Sequence, residues 1–125
     1  MLMESADCYV SLHRSEGLGL GLAEAMSLGT LTVATAYSGN MEFMSITNSL
    51  LVDYEMVPVI SSDYPYSGDN FWANPINLDA RKKMRLAYSD SIANERLISK
   101  AKSDLSAFNL QRQRAWINSR LKEIL

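Results

Sequence analysis

Apolar and polar positions follow two rhythms along this chain, and the change comes near residue 77. Before it, short unbroken apolar runs stand between turn-forming residues. Cys8 to Leu12, Leu31 to Thr35 and Asn48 to Tyr54 (around Leu50-Leu51-Val52) each read as a strand, the first of them buried on both faces. Between the first two, Leu22, Ala25 and Met26 recur at helical spacing, and Gly29 can close that helix with a positive φ. A short helix is predicted over Met41 to Ser45. Beyond Tyr54 the pattern breaks. Pro58, Ser61, Ser62, Pro65, Gly68 and Asp69 predict a loop of about 20 residues. Tyr64, Tyr66, Phe71 and Trp72 in that loop either pin it to the core or cover a ligand.

From Leu78 onward the rhythm is helical. Asp79 to Ser89 carries Met84 and Ala87 inward, and Ile92 to Ala107 carries Leu97, Ile98, Ala101 and Leu105. Asn109 can cap a last helix, Leu110 to Leu125, whose Trp116, Ile117 and Leu121 are read mostly as core. Any of them left exposed would form an apolar patch that invites a homodimer. The fold class expected is α/β: a parallel sheet of roughly three or four strands with flanking helices, then a helical segment. Residues 7–76 form the first part and 77–125 the second, within one partial domain spanning 1–125.

The densest chemistry lies between the first strand and the first helix, in Ser15-Glu16-Gly17-Leu18-Gly19-Leu20-Gly21-Leu22-Ala23-Glu24. Glycines there let a ligand approach the backbone. The helix start supplies unpaired N–H groups and the positive end of a dipole, which suits a phosphate. The spacing fits neither G-x-G-x-x-G nor a P-loop, since no lysine follows. Two carboxylates sharpen the case. Glu16 stands at the turn, and Glu24 lies inside the helix, where it is expected to point toward the groove rather than to solvent. Each could accept hydrogen bonds from sugar hydroxyls while the amides between them hold a diphosphate. A nucleotide-sugar needs that arrangement.

These residues, with seven positions between the glutamates, resemble the E-x7-E motif of retaining glycosyltransferases with two Rossmann-like domains. The likeness continues in Asp7-Cys8-Tyr9-Val10-Ser11-Leu12-His13-Arg14 and in Val33-Ala34-Thr35-Ala36-Tyr37-Ser38-Gly39-Asn40, and is strongest over residues 5–55. It is closest to the group 1 type, the fourth family in the usual numbering, whose members build bacterial polysaccharides. The resemblance implies a Rossmann-like donor-binding half of a two-domain enzyme. Glu16 would lie against the donor sugar as the catalytic group, and Glu24 would hold the ribose. The amides from Gly17 through Leu18 to Gly19 would stabilise the leaving diphosphate without a metal or any other cofactor. The partner implied is a UDP- or GDP-linked sugar. An acceptor-binding domain and the first strands of this one would stand upstream of residue 1, so the chain by itself is expected to bind without transferring. The alternatives are an inert fragment and a non-catalytic nucleotide-binding scaffold.

The remaining candidates admit two readings each. His13 ends the first strand at the carboxyl edge, where open α/β sheets bind ligands. It is either a donor contact or a strand-end histidine bonded to backbone. Arg14 is either solvated or a source of positive charge for the phosphates. Ser38, Gly39 and Asn40 occupy the second loop at that edge, as further donor contacts or as a helix cap. Two departures from the resemblance stand out. Relatives usually have proline where this chain has Thr30, and often read Trp-Ala-Glu-Pro-Asp where it has Trp72-Ala73-Asn74-Pro75-Ile76.

Composition narrows the field. Over 125 residues, 47% are apolar, 21% charged, and the net charge is −2. That balance gives no reason to expect nucleic-acid binding, which normally leaves a basic patch. One cysteine, Cys8, rules out a disulfide within the chain and reads as a buried, inert thiol in a reducing compartment. No apolar run reaches the ~20 residues of a membrane span, and the start has no signal-peptide pattern. The expected location is cytoplasmic, at most peripheral to the inner membrane. One histidine and one cysteine make the usual zinc sites implausible. No G-x-S-x-G elbow is present, and nothing sets Glu16 and Glu24 across a sugar ring as a glycosidase pair.

Overall fold

The computed structural model describes residues 2–62, 65, 68–106 and 110–124, with backbone only for 110–113 and 116. Tyr64, Tyr66, the Asn109 cap and the Trp116 side chain lie outside the described residues.

Three parallel strands form the central sheet, β1 (Cys8–Ser11), β2 (Leu31–Thr35) and β3 (Leu50–Val52), side by side in that order. Cys8 stands opposite Leu31 and Ser11 opposite Ala34, while Val33 stands opposite Leu50 and Thr35 opposite Val52. The middle strand, β2, is buried at all five positions. Successive residues of a strand face opposite sides, and β2 shows it. Val33 packs with Val52 and Ala80 on one face, and Ala34 with Leu22, Met26, Phe43, Met44 and Ala101 on the other. Helices therefore cover both faces, as a continuously apolar parallel strand requires.

The connection from β1 to β2 runs through helix α1 (Leu20–Leu28), which buries Leu22, Ala25 and Met26. It stops at Gly29, φ 85°, and the amide of Thr30 reaches back to Ala25 O at 2.9 Å. That left-handed stop satisfies end carbonyls that would otherwise be orphaned. Between β2 and β3 the helical turn is a 3₁₀ helix over Gly39–Glu42, earlier than the predicted Met41 to Ser45. The turn starts inside the loop, where Ser38 O takes the amide of Met41, and Asn40 O closes it by taking the amides of Phe43 and Met44.

The predicted long loop contains a hairpin instead. β4 (Tyr54–Pro58) and β5 (Phe71–Pro75) pair antiparallel, Tyr54 opposite Pro75 and Pro58 opposite Phe71. Both prolines fall at strand ends, where a missing N–H costs the ladder little. Buried Ala73 donates its amide to Arg14 O at 2.9 Å, and Ile76 donates to Asp53 O at 2.8 Å, so the hairpin is stitched to the ends of β1 and β3.

Helices α2 (Asn77–Ser89), α3 (Ser91–Ser106) and α4 (Leu110–Ile124) complete the chain. The first turns Ala80 and Ala87 to the sheet, while Met84 is exposed. The second packs Ala101 and Leu105 against α1. In α4 every described side chain is exposed, and Ile117 and Leu121 are each 49% accessible, so the expectation that they are core does not hold. Ile117, Leu121 and Ile124 share one stripe of a helix whose other described positions are mostly charged or polar. No helix among the described residues is long and apolar enough to cross a membrane.

Candidate functional site

Because the three strands are parallel, the loops after β1 and β2 leave the sheet at one edge. They are joined there through their backbones. The amide of Gly39 donates to Glu16 O at 3.0 Å, and the Ser38 hydroxyl donates to the same oxygen at 2.7 Å. Ser38 Oγ also accepts the amide of Glu16 at 3.4 Å. The contact is so close that a Cβ at Gly39 would lie 1.9 Å from Gly17 O. Glycine at 39 is therefore a packing requirement. Ser38 has φ 81° and ψ −149°, and is the one non-glycine with positive φ among the described residues. That backbone region costs a side-chain-bearing residue about 1–3 kcal/mol, and persists only where its surroundings hold it.

Gly19 and Gly17 differ in kind. Gly19 has φ 86° at the start of α1, and a Cβ there would come within 3.2 Å of Asn40 Cβ. Gly17 has no such conformation, and nothing lies within 4 Å of where its Cβ would stand. The fold does not demand glycine at 17; the absent side chain leaves space over the backbone. Next to it, α1 begins with no side-chain cap and no acidic residue in its first turn. Among the described residues, no backbone carbonyl takes the amides of Leu18, Gly19, Leu20 or Gly21. Those N–H groups and the helix dipole make a positive corner at the sheet edge.

The two glutamates part company. Glu16 is half-buried in the turn between the loops. Glu24 is exposed on α1, since the inward stripe is taken by Leu22, Ala25 and Met26, and the expectation that it leaves the solvent face is corrected. Leu18 projects 49% exposed at the rim.

His13 is held at both nitrogens. Its Nδ1 meets Ser11 Oγ at 3.1 Å, and its Nε2 meets Tyr37 O at 3.1 Å and Asn40 Oδ1 at 3.2 Å. Asn40 is fully buried and spends its amide nitrogen on Thr35 O at 3.1 Å. Arg14 is held as well. Its guanidinium lies 4.9 Å over the Trp72 ring and donates to Asn74 Oδ1 at 3.3 Å. The sequence marked Trp72 and Asn74 only as a loop aromatic and a departure from relatives. Their approach to Arg14 follows from the hairpin, which no local pattern announced. Cys8, in β1, is free and half-buried; burial pushes its thiol up, and the charge of Asp7 adds to the shift. No three His, Cys, Asp or Glu side chains gather among the described residues as a metal site would require.

Residues 1–53 match the family model for group 1 glycosyl transferases. The matched stretch takes in the whole parallel sheet, α1 and both edge loops. It supports that family, and a role in glycosyl transfer, for this part of the chain. No curated protein matches the chain.

Proposed function

We propose that the edge formed by the Glu16 turn, the start of α1 and the Ser38–Asn40 loop binds the nucleotide-diphosphate sugar of a retaining glycosyltransferase. One observation carries the reading. The uncapped start of α1 stands beside Gly17, whose backbone is open to a ligand, and beside half-buried Glu16. A diphosphate placed there meets converging N–H donors that need no reorganisation as its charge grows. Glu16 orients the sugar. Glu24, exposed on α1, accepts from the ribose hydroxyls, and Arg14 adds positive charge from its seat on Trp72. Transfer to a glycan or lipid-linked hydroxyl would proceed with the leaving diphosphate stabilised by amides of Gly17, Leu18 and Gly19.

Ligand-observed NMR and thermal shift with UDP, GDP and their sugars test the reading, with Glu24→Ala alongside. Saturation near 100 times the dissociation constant should stabilise the chain by about 2.7 kcal/mol. Binding of one nucleotide class, weakened in Glu24→Ala, is the expected result. An absence of binding to every nucleotide would leave an inert fold and overturn it.

A further inference from the structure

We propose that His13 is a positioning residue, whose Nε2–H fastens the Tyr37–Asn40 loop to the end of β1 and so sets the Glu16 turn before any ligand arrives. The proposal rests on reading that turn as the donor site, though its geometry exists without a ligand. Tyr37 O can only accept, so the nitrogen 3.1 Å from it must carry a hydrogen. Asn40 turns its amide nitrogen to Thr35 O, another obligate acceptor, which leaves Oδ1 facing the same imidazole nitrogen at 3.2 Å. One N–H thus serves two acceptors, and neutral His13 is the Nε2–H tautomer with Nδ1 accepting from Ser11 Oγ.

The two acceptors flank Ser38. Its unfavourable backbone is gripped on one side through Tyr37 O and on the other through the Asn40 side chain. From Ser38 and Gly39 the chain of bonds continues to Glu16 O. Hydrogen bonds therefore run from β1 to the carboxylate-bearing turn: Ser11 to His13, His13 to Tyr37 and Asn40, and Ser38 and Gly39 to Glu16. With both ring nitrogens engaged inside the protein, His13 acts on a donor through this chain.

The full chain has one histidine, so its imidazole nitrogens can be read without assignment. At about pH 8, above the ordinary histidine range, long-range ¹H–¹⁵N correlation should show hydrogen on Nε2 and none on Nδ1. Hydrogen exchange of the Gly39 amide should quicken by about tenfold in His13→Ala and His13→Asn. His13→Gln, whose side-chain amide reaches the place of Nε2, should stay within about threefold of the parent. Amides of β2 should not change in any variant that folds. Hydrogen on Nδ1, unchanged Gly39 exchange in His13→Ala, or equal losses in His13→Gln and His13→Ala would each overturn the proposal. If His13→Ala fails to fold, the tautomer and the His13→Gln and His13→Asn pair decide. A UDP and GDP titration of the parent is run separately. Its failure would remove the donor-site reading while the exchange data still judged His13.

Discussion

The first 53 residues and the rest of the chain reach compactness by different means. In the first region β2 is buried at every position, α1 hides Leu22, Ala25 and Met26, and the edge loops touch backbone to backbone. In the second, β5 contributes buried Ala73, α2 Ala80, and α3 Ala101 with Asn94, while every described side chain of α4 is exposed. The second region meets the first largely through alanines, which allow close approach and carry little apolar area of their own. Large side chains fix the sheet and α1; small ones let the hairpin and helices lie against them. A site made of amides and loop carbonyls needs that inequality, because an N–H cannot be aimed unless the backbone bearing it is fixed.

Core truncation should expose the inequality most strongly. Met26→Ala is expected to cost about 2–5 kcal/mol in chemical denaturation, and Leu121→Ala less than about 0.5 kcal/mol. Comparable losses at the two positions would mean that α4 shares the core after all. Next in size is a contrast within the site. Gly39→Ala must part the edge loops, since its Cβ would sit 1.9 Å from Gly17 O, and should cost about 1–3 kcal/mol or more. Gly17→Ala meets open space and should change stability by less than about 0.5 kcal/mol while weakening nucleotide binding. A stable Gly39→Ala variant would show that the loops are not held together as described. A smaller effect tests the link between the regions. Arg14→Ala should lose about 0.5–1 kcal/mol of its contact with Trp72, read as the coupling energy in a double-mutant cycle with Trp72→Leu. Zero coupling would leave Arg14 tied to the hairpin through Asn74 and the backbone alone.

Much of the first region was legible in the residues. Unbroken apolar runs gave β1, β2 and β3, and Gly29 gave the end of α1, because burial on two faces and a positive φ each leave a plain mark. The glycine turn with Glu16 was legible too. What it held in place was not. Whether His13 faces a ligand or Tyr37 O depends on a loop 24 residues away, and no periodicity encodes that. The hairpin was missed for a related reason. Its strands mix Glu55, Asn74 and two prolines with Tyr54 and Trp72, so the period-two signal fails although the pairing is regular. Glu24 was misjudged although Leu22, Ala25 and Met26 already marked the inward stripe of α1, which at 100° per residue turns position 24 outward.

The smallest expected effect lies where α3 meets the loop before β3. Buried Asn48 donates to Phe43 O at 2.9 Å and to Asp104 Oδ2 at 2.9 Å, and its own oxygen takes the amide of Ser45 at 2.7 Å. Asp104 also pairs with Lys100 one turn earlier. The hydrogen bond from Lys100, then that from Asn48, holds the Asp104 carboxyl below its usual value of 3.8. A carboxyl whose pKa is lower in the folded chain than in the unfolded one stabilises the fold when ionised. That contribution is complete above the unfolded value and fades as pH falls through the folded one. Asp104→Asn should therefore lower the denaturation midpoint slightly at pH 7, and the gap from the parent should narrow below about pH 4. Added salt should shrink the Lys100 part of it, since that pair is exposed. A gap that stays constant down to pH 3 would mean that Asp104 acts through shape rather than charge. The hold on α3 would then come from the packing of Ala101 and Leu105.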